Sequence, residues 1–103
     1  MVYRRTLAKY HRELLFALEA ARTRLAVAIA AETKSTTPER WQYYFEISDR
    51  TRRFIKGLRN ANPEMPQLKQ RWTEAIESLK QIPAQSEAAQ ICKLLGDIVA
   101  ALE

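Results

Sequence analysis

Apolar residues in this chain recur three and four positions apart, and only two glycines interrupt its 103 residues. That spacing lines one face of an α-helix. No Asn-Gly or Asp-Gly pair marks a hairpin, so the expected fold is all-α. The first segment carries the strongest pattern: Leu7, His11, Leu14, Leu18, Ala21, Leu25 and Ala28 alternate by four and three. Such a run is a heptad seam sustained for about three repeats.

Proline and polar clusters divide the chain into four helices, expected at about 3–32, 38–60, 66–82 and 86–102. Thr37 is a suitable N-cap, with Pro38 at the first helical position and Glu39 in the first turn. The second stripe is Tyr44, Ile47, Thr51, Phe54 and Leu58, with Ile55 beside them, and the helix stops before Asn62-Pro63. Pro66 opens the third helix, with Leu68, Trp72, Ala75, Leu79 and Ile82 on its stripe, and Pro83 closes it. Ser86 with Glu87 is expected to cap the fourth, whose stripe is Ile91, Leu95, Ile98 and Leu102, flanked by Leu94 and Val99. Short connections favour antiparallel neighbours, giving a single domain over residues 1–103: a four-helix up-down antiparallel bundle with a long first helix.

The length suffices for a core without metal or disulfide. Cys92, the single cysteine, lies in an apolar run and reads as a buried core thiol of a reducing compartment. No stretch approaches the ~20 uncharged residues of a membrane span, since Arg24 and Glu32 bracket the richest run. No secretory leader pattern is present at the N-terminus, and the expected location is the cytoplasm.

Charge is distributed unevenly. Residues 1–60 hold thirteen Lys/Arg against six Asp/Glu, a balance of +7, whereas residues 61–103 have a balance of −2. A basic half points to a polyanion or an acidic partner. On a helical wheel Trp41, Phe45, Arg52, Lys56 and Arg59 share one flank of the second stripe. Arg50 and Arg53 lie on its outer side, where Arg50 can pair with Glu46, and Arg53 with Asp49. In the first helix Arg5, Lys9, Arg12 and Phe16 fall opposite the leucine seam. Cations that neutralise phosphates beside rings that offer stacking platforms suit the backbone of DNA or RNA, bound without sequence preference. An up-down hairpin carries both basic stripes to the same end of the bundle.

The same surface admits another reading, a scaffold for an acidic protein partner. Phe16, Ala20 and Val27 leave an apolar streak on the outer face of the first helix. Ala89, Gly96 and Ala100 give the fourth a small-residue outer face. These are the expected contacts to other protein subunits, and they leave room for self-association.

Catalytic groups are few: one His, one Cys and two Asp. One His with one Cys cannot build a structural zinc site, and two glycines cannot build a phosphate-cradling loop, so no metal or cofactor is expected and no enzyme. Arg5, Thr6 and His11 resemble the Arg-x4-6-His signature of the helical ribonucleases called HEPN domains, which implies RNA cleavage by Arg5 and His11. Across the whole chain, a short, basic, all-helical sequence with positive faces and apolar assembly surfaces resembles the small subunits of CRISPR effector complexes. That resemblance implies a non-catalytic subunit in a larger assembly, with Arg50, Arg52, Arg53, Lys56 and Arg59 on the nucleic-acid backbone and Arg5, Lys9 and Arg12 in support.

Overall fold

The three-and-four spacing becomes four α-helices in the computed structural model: α1 (Val2–Ala31), α2 (Pro38–Arg59), α3 (Leu68–Lys80) and α4 (Ala88–Leu102). The structure describes residues 2–32, 34, 36–60, 68–83 and 85–103, with side chains from residue 9 onward in α1 and from residue 70 onward in α3. No strand occurs among them. The break at Asn62-Pro63 and the opening at Pro66 lie outside the described residues, as do the side chains of Arg5, Thr6, Leu7 and Leu68.

Leu14, Leu18, Ala21 and Leu25 of the α1 seam are buried. They meet Tyr44, Ile55 and Leu58 of α2, Trp72, Ile76 and Leu79 of α3, and Ile91, Leu95 and Ile98 of α4 in one core. Ile76 belongs to it although its position flanks the α3 stripe. Thr51 is the only buried polar residue described; its hydroxyl donates to the Ile47 carbonyl at 2.8 Å, which satisfies it within its own helix. α1 touches each of the other three helices, while α2 and α3 do not touch among the described residues. Consecutive helices are thus not always neighbours here, because α1 and α4 fill the space between α2 and α3.

The helix ends differ in detail from the sequence expectation. Thr37 caps α2, its hydroxyl accepting from the Arg40 N–H. α3 stops at Lys80 rather than Ile82, since Pro83 removes the residues before it from helical geometry. Glu87, not Ser86, is the N-cap of α4: the Ser86 hydroxyl donates to the Pro83 carbonyl to close the turn. The Gln90 side chain accepts from the Glu87 N–H, the reciprocal half of a capping box.

Two α1 side chains and Glu32, the residue that follows α1, reach the ends of the other helices or the turns beside them. His11 Nε2 lies 2.6 Å from the Leu58 carbonyl near the end of α2. A carbonyl only accepts, so Nε2 carries the proton, and the ring packs on Trp72 with centroids 5.3 Å apart. Arg24 donates to the Ile82 carbonyl just beyond α3 at 3.0 Å. Glu32 accepts from the Tyr44 hydroxyl at 2.9 Å and from the Ala88 N–H, the first of α4, at 3.3 Å. Burial, the Tyr44–Glu32 hydrogen bond and the Glu32 charge all raise the Tyr44 pKa. Burial, with a smaller push from Glu32, moves the Cys92 thiol up to about 12, so it stays protonated at neutral pH.

Glu32→Ala strands the Tyr44 hydroxyl and the α4 N-terminus together. Urea unfolding is expected to show a loss of about 1–3 kcal/mol, with Glu32→Gln losing less because its amide oxygen still accepts.

Candidate nucleic-acid interface

The flank of α2 that borders α1 collects most of the basic residues expected to act together. Trp41, half-buried, stacks on Phe45 with ring centroids 5.2 Å apart and planes inclined by 21°. Phe45 is 59% exposed. Four residues bearing charge follow along the helix: Asp49, Arg52, Lys56 and Arg59, with Arg53 on the outer side. Arg59 reaches across to pair with Glu19 of α1. Since α1 also meets Leu58 through His11, residues 58 and 59 sit beside α1 residues 11–19.

Carboxylates hold much of this charge. Asp49 pairs with Arg52 at 2.7 Å and with Arg53 at 3.2 Å. The hydrogen bond from Arg52, aided by the charges of Arg53, Arg52 and Arg22, draws the Asp49 pKa below its ordinary value against an opposing desolvation. Arg50 does not join the group. It pairs with Glu103 at 2.7 Å, beside α4, rather than with Glu46. That hydrogen bond lowers the Glu103 pKa and raises that of Arg50. Both depressed carboxylates add stability that is present above their unfolded range and is lost as pH falls through the folded value.

Lys9, Arg12, Arg22 and Lys56 have no carboxylate at ion-pair distance among the described residues. Arg22 was not anticipated. It lines a shallow depression with Glu19, Thr23, Ala26 and Ser48 at the α1–α2 seam, and its field reaches Asp49. Its position on the flank of the leucine seam was readable; that α2 places Asp49 opposite it was not. Four cations (Arg22, Arg52, Arg53 and Arg59) therefore gather about two carboxylates (Glu19 and Asp49), with Lys56 on the same flank of α2.

The remaining expected positions separate. Phe16 and Val27 are 76% and 66% exposed on the outer face of α1. Ala89 and Ala100 are exposed on α4. Gly96 is not on an outer face: a Cβ there would lie 3.3 Å from Ile47 Cδ1, so its small size serves the close approach of α4 to α2. Of the Arg5 and His11 pair, only the His11 side chain is described, and its Nε2 is engaged with a carbonyl. No group of three or more His, Cys, Asp or Glu among the described residues is placed to hold a metal. No described helix is long and apolar enough to cross a membrane. Comparison with known protein families, curated proteins and solved structures finds no match.

The pairing around Asp49 has a direct readout. Carboxyl NMR is expected to place its titration midpoint below the ordinary ~3.9. Arg52→Gln should raise that midpoint more than Arg53→Gln; a wild-type midpoint at or above the ordinary value contradicts the pairing.

Proposed function

We propose that the chain is a non-catalytic helical subunit whose α1–α2 flank binds nucleic-acid backbone through sequence-independent phosphate contacts. The observation that carries this reading is the stacked Trp41–Phe45 pair on the same flank as Arg52, Lys56 and Arg59. Arg22 extends that row onto α1. A ring that stays largely exposed gives a base a surface to stack on, and neighbouring cations take the phosphates. The ion pairs to Asp49 and Glu19 are exposed, weak and screened by salt, so phosphate oxygens can take the place of the carboxylates. In this reading the chain works inside an assembly, as its resemblance to small CRISPR effector subunits implies. Lys9 and Arg12 add long-range attraction from the adjoining end of α1.

Single- and double-stranded DNA and RNA oligonucleotides, titrated at low salt by fluorescence anisotropy, test the reading. Binding should weaken steeply with salt and disappear in the triple variant Arg52→Glu, Lys56→Glu, Arg59→Glu with helicity retained. Asp49→Asn, which releases Arg52 and Arg53, should tighten binding. If no oligonucleotide binds the wild-type chain at low salt, the reading fails.

The finer architecture belongs to the same proposal: an up-down antiparallel bundle ordered along a long α1. Support comes from the cross-helix contacts. His11 meets Leu58 while Glu32 meets Tyr44, which supports opposite senses for α1 and α2, and Trp72 near His11 with Ile82 near Arg24 supports the same sense for α1 and α3. Spin labels at Arg12 and Lys56 should therefore be closer in pulsed electron–electron resonance than labels at Arg12 and Arg40. The reverse order rejects the topology.

A further inference from the structure

The side of α1 turned toward α3 is not filled by this chain. A groove of about 620 Å3 runs between α1 and the C-terminal end of α3. Leu79 and Ile82 are buried at its base, while Phe16 and Ala20 stand exposed at its α1 edge. Its rim is basic: Arg12, Arg24 and Lys80 face it with Glu13 as the lone carboxylate among the lining residues. Arg24 spends one nitrogen on the Ile82 carbonyl but keeps its charge, and Lys80 is only loosely held by Glu77 at 3.8 Å.

We propose that this groove receives an amphipathic α-helix of a partner protein, apolar on the face it buries and acidic along its edges. A furrow between two helices has the shape that accepts a third. The apolar surface does not end with the groove, because Phe16, Ala20 and Val27 form a stripe along α1 spanning ~16 Å. A compact ligand would fill the groove and leave Val27 in water; an elongated helix covers both. Three rim cations against one carboxylate select acidic flanks. A second copy of this chain fits less well, since its α1 outer face would bring Lys9 and Arg12 against the same basic rim. The groove lies on the other side of α1 from the α2 flank and shares with the proposed nucleic-acid surface only Arg12, whose part there is long-range attraction.

The probe is a fluorescein-labelled helical peptide of about 16 residues, enough to cover the stripe, with leucines on one face and glutamates on its flanks. It is expected to bind saturably to the wild-type chain and to lose about tenfold in affinity with either Phe16→Ala or Lys80→Glu. Ala20→Glu, which sets a carboxylate at the edge of the groove, should abolish binding. Thermal melts and oligonucleotide binding of these variants should match wild type, which separates this surface from the α2 flank. Absence of saturable binding overturns the proposal, as does equal binding of the peptide with lysine in place of every glutamate. A wild-type dimer in sedimentation that Phe16→Ala converts to monomer assigns the face to a second copy instead. Displacement of the peptide by oligonucleotide, with Phe16→Ala weakening the oligonucleotide, assigns it to nucleic acid; either result also overturns the proposal.

Discussion

The bundle depends on one helix completing the ends of the others. Every α-helix leaves backbone donors at its start and acceptors at its finish without partners, and burying such an end unsatisfied is costly. α1 and the residue that follows it reach each neighbour: His11 near the finish of α2, Arg24 at the turn just beyond α3, Glu32 at the start of α4. The signs of the two charged residues suit the helix dipoles, Arg24 beyond a C-terminal end and Glu32 at an N-terminal one. These three residues fix where each helix ends along α1, while the leucine seam between them only favours burial. Hydrophobic contact alone would let the helices slide; hydrogen bonds at 2.6–3.3 Å do not.

This arrangement also decides which surfaces remain. α1 packs against three helices, yet α2 and α3 do not meet among the described residues, so α1 keeps two distinct flanks. One is the charged seam with α2, where Glu19 and Arg22 face Asp49 and Arg59. The other is the apolar groove beside α3. α4 has less to offer: Ala88, Ile91, Cys92, Leu95, Ile98 and Val99 are buried, and Gly96 is used against Ile47. The small residues that looked like an outward assembly face are divided, with Ala89 and Ala100 outside and the glycine inside.

Much of the architecture was legible because it rests on local period. The spacing of apolar residues marked four helices, Thr37-Pro38 marked the start of α2, and the buried seam of α1 follows the heptad. Contacts that depend on which helix lies opposite were not legible. Arg24 and Glu32 looked like charges bracketing an apolar run, and His11 like an imperfect seam residue, whereas each caps a helix at least 40 positions away or draws one in. Likewise the wheel set Arg50 on the outer side of α2 within reach of Glu46, but Glu103 claims it. Exposure of Phe16 and Val27 could be read from the sequence; the furrow beside Phe16 could not, since Leu79 of α3 and Ile82 just beyond it lie more than 60 residues away.

The sequence's +7 first half is thus not a free reservoir of charge. Arg22, Arg52, Arg53 and Arg59 gathered on one seam would repel each other, and Asp49 and Glu19 relieve that repulsion in the absence of a ligand. The same carboxylates stand where phosphates would go. A polyanion that displaces them releases the pairs without leaving the cations unpaired, so the exchange is between two charge-assisted hydrogen-bond sets rather than the creation of one. What a polyanion would add, on the proposed reading, is the part the carboxylates cannot supply: Lys56 and Arg22 have no carboxylate at ion-pair distance among the described residues, and the Trp41–Phe45 stack leaves a ring face in water. On that reading the net gain would come from Lys56, Arg22 and the exposed ring, and the arginines already paired would mainly hold the register.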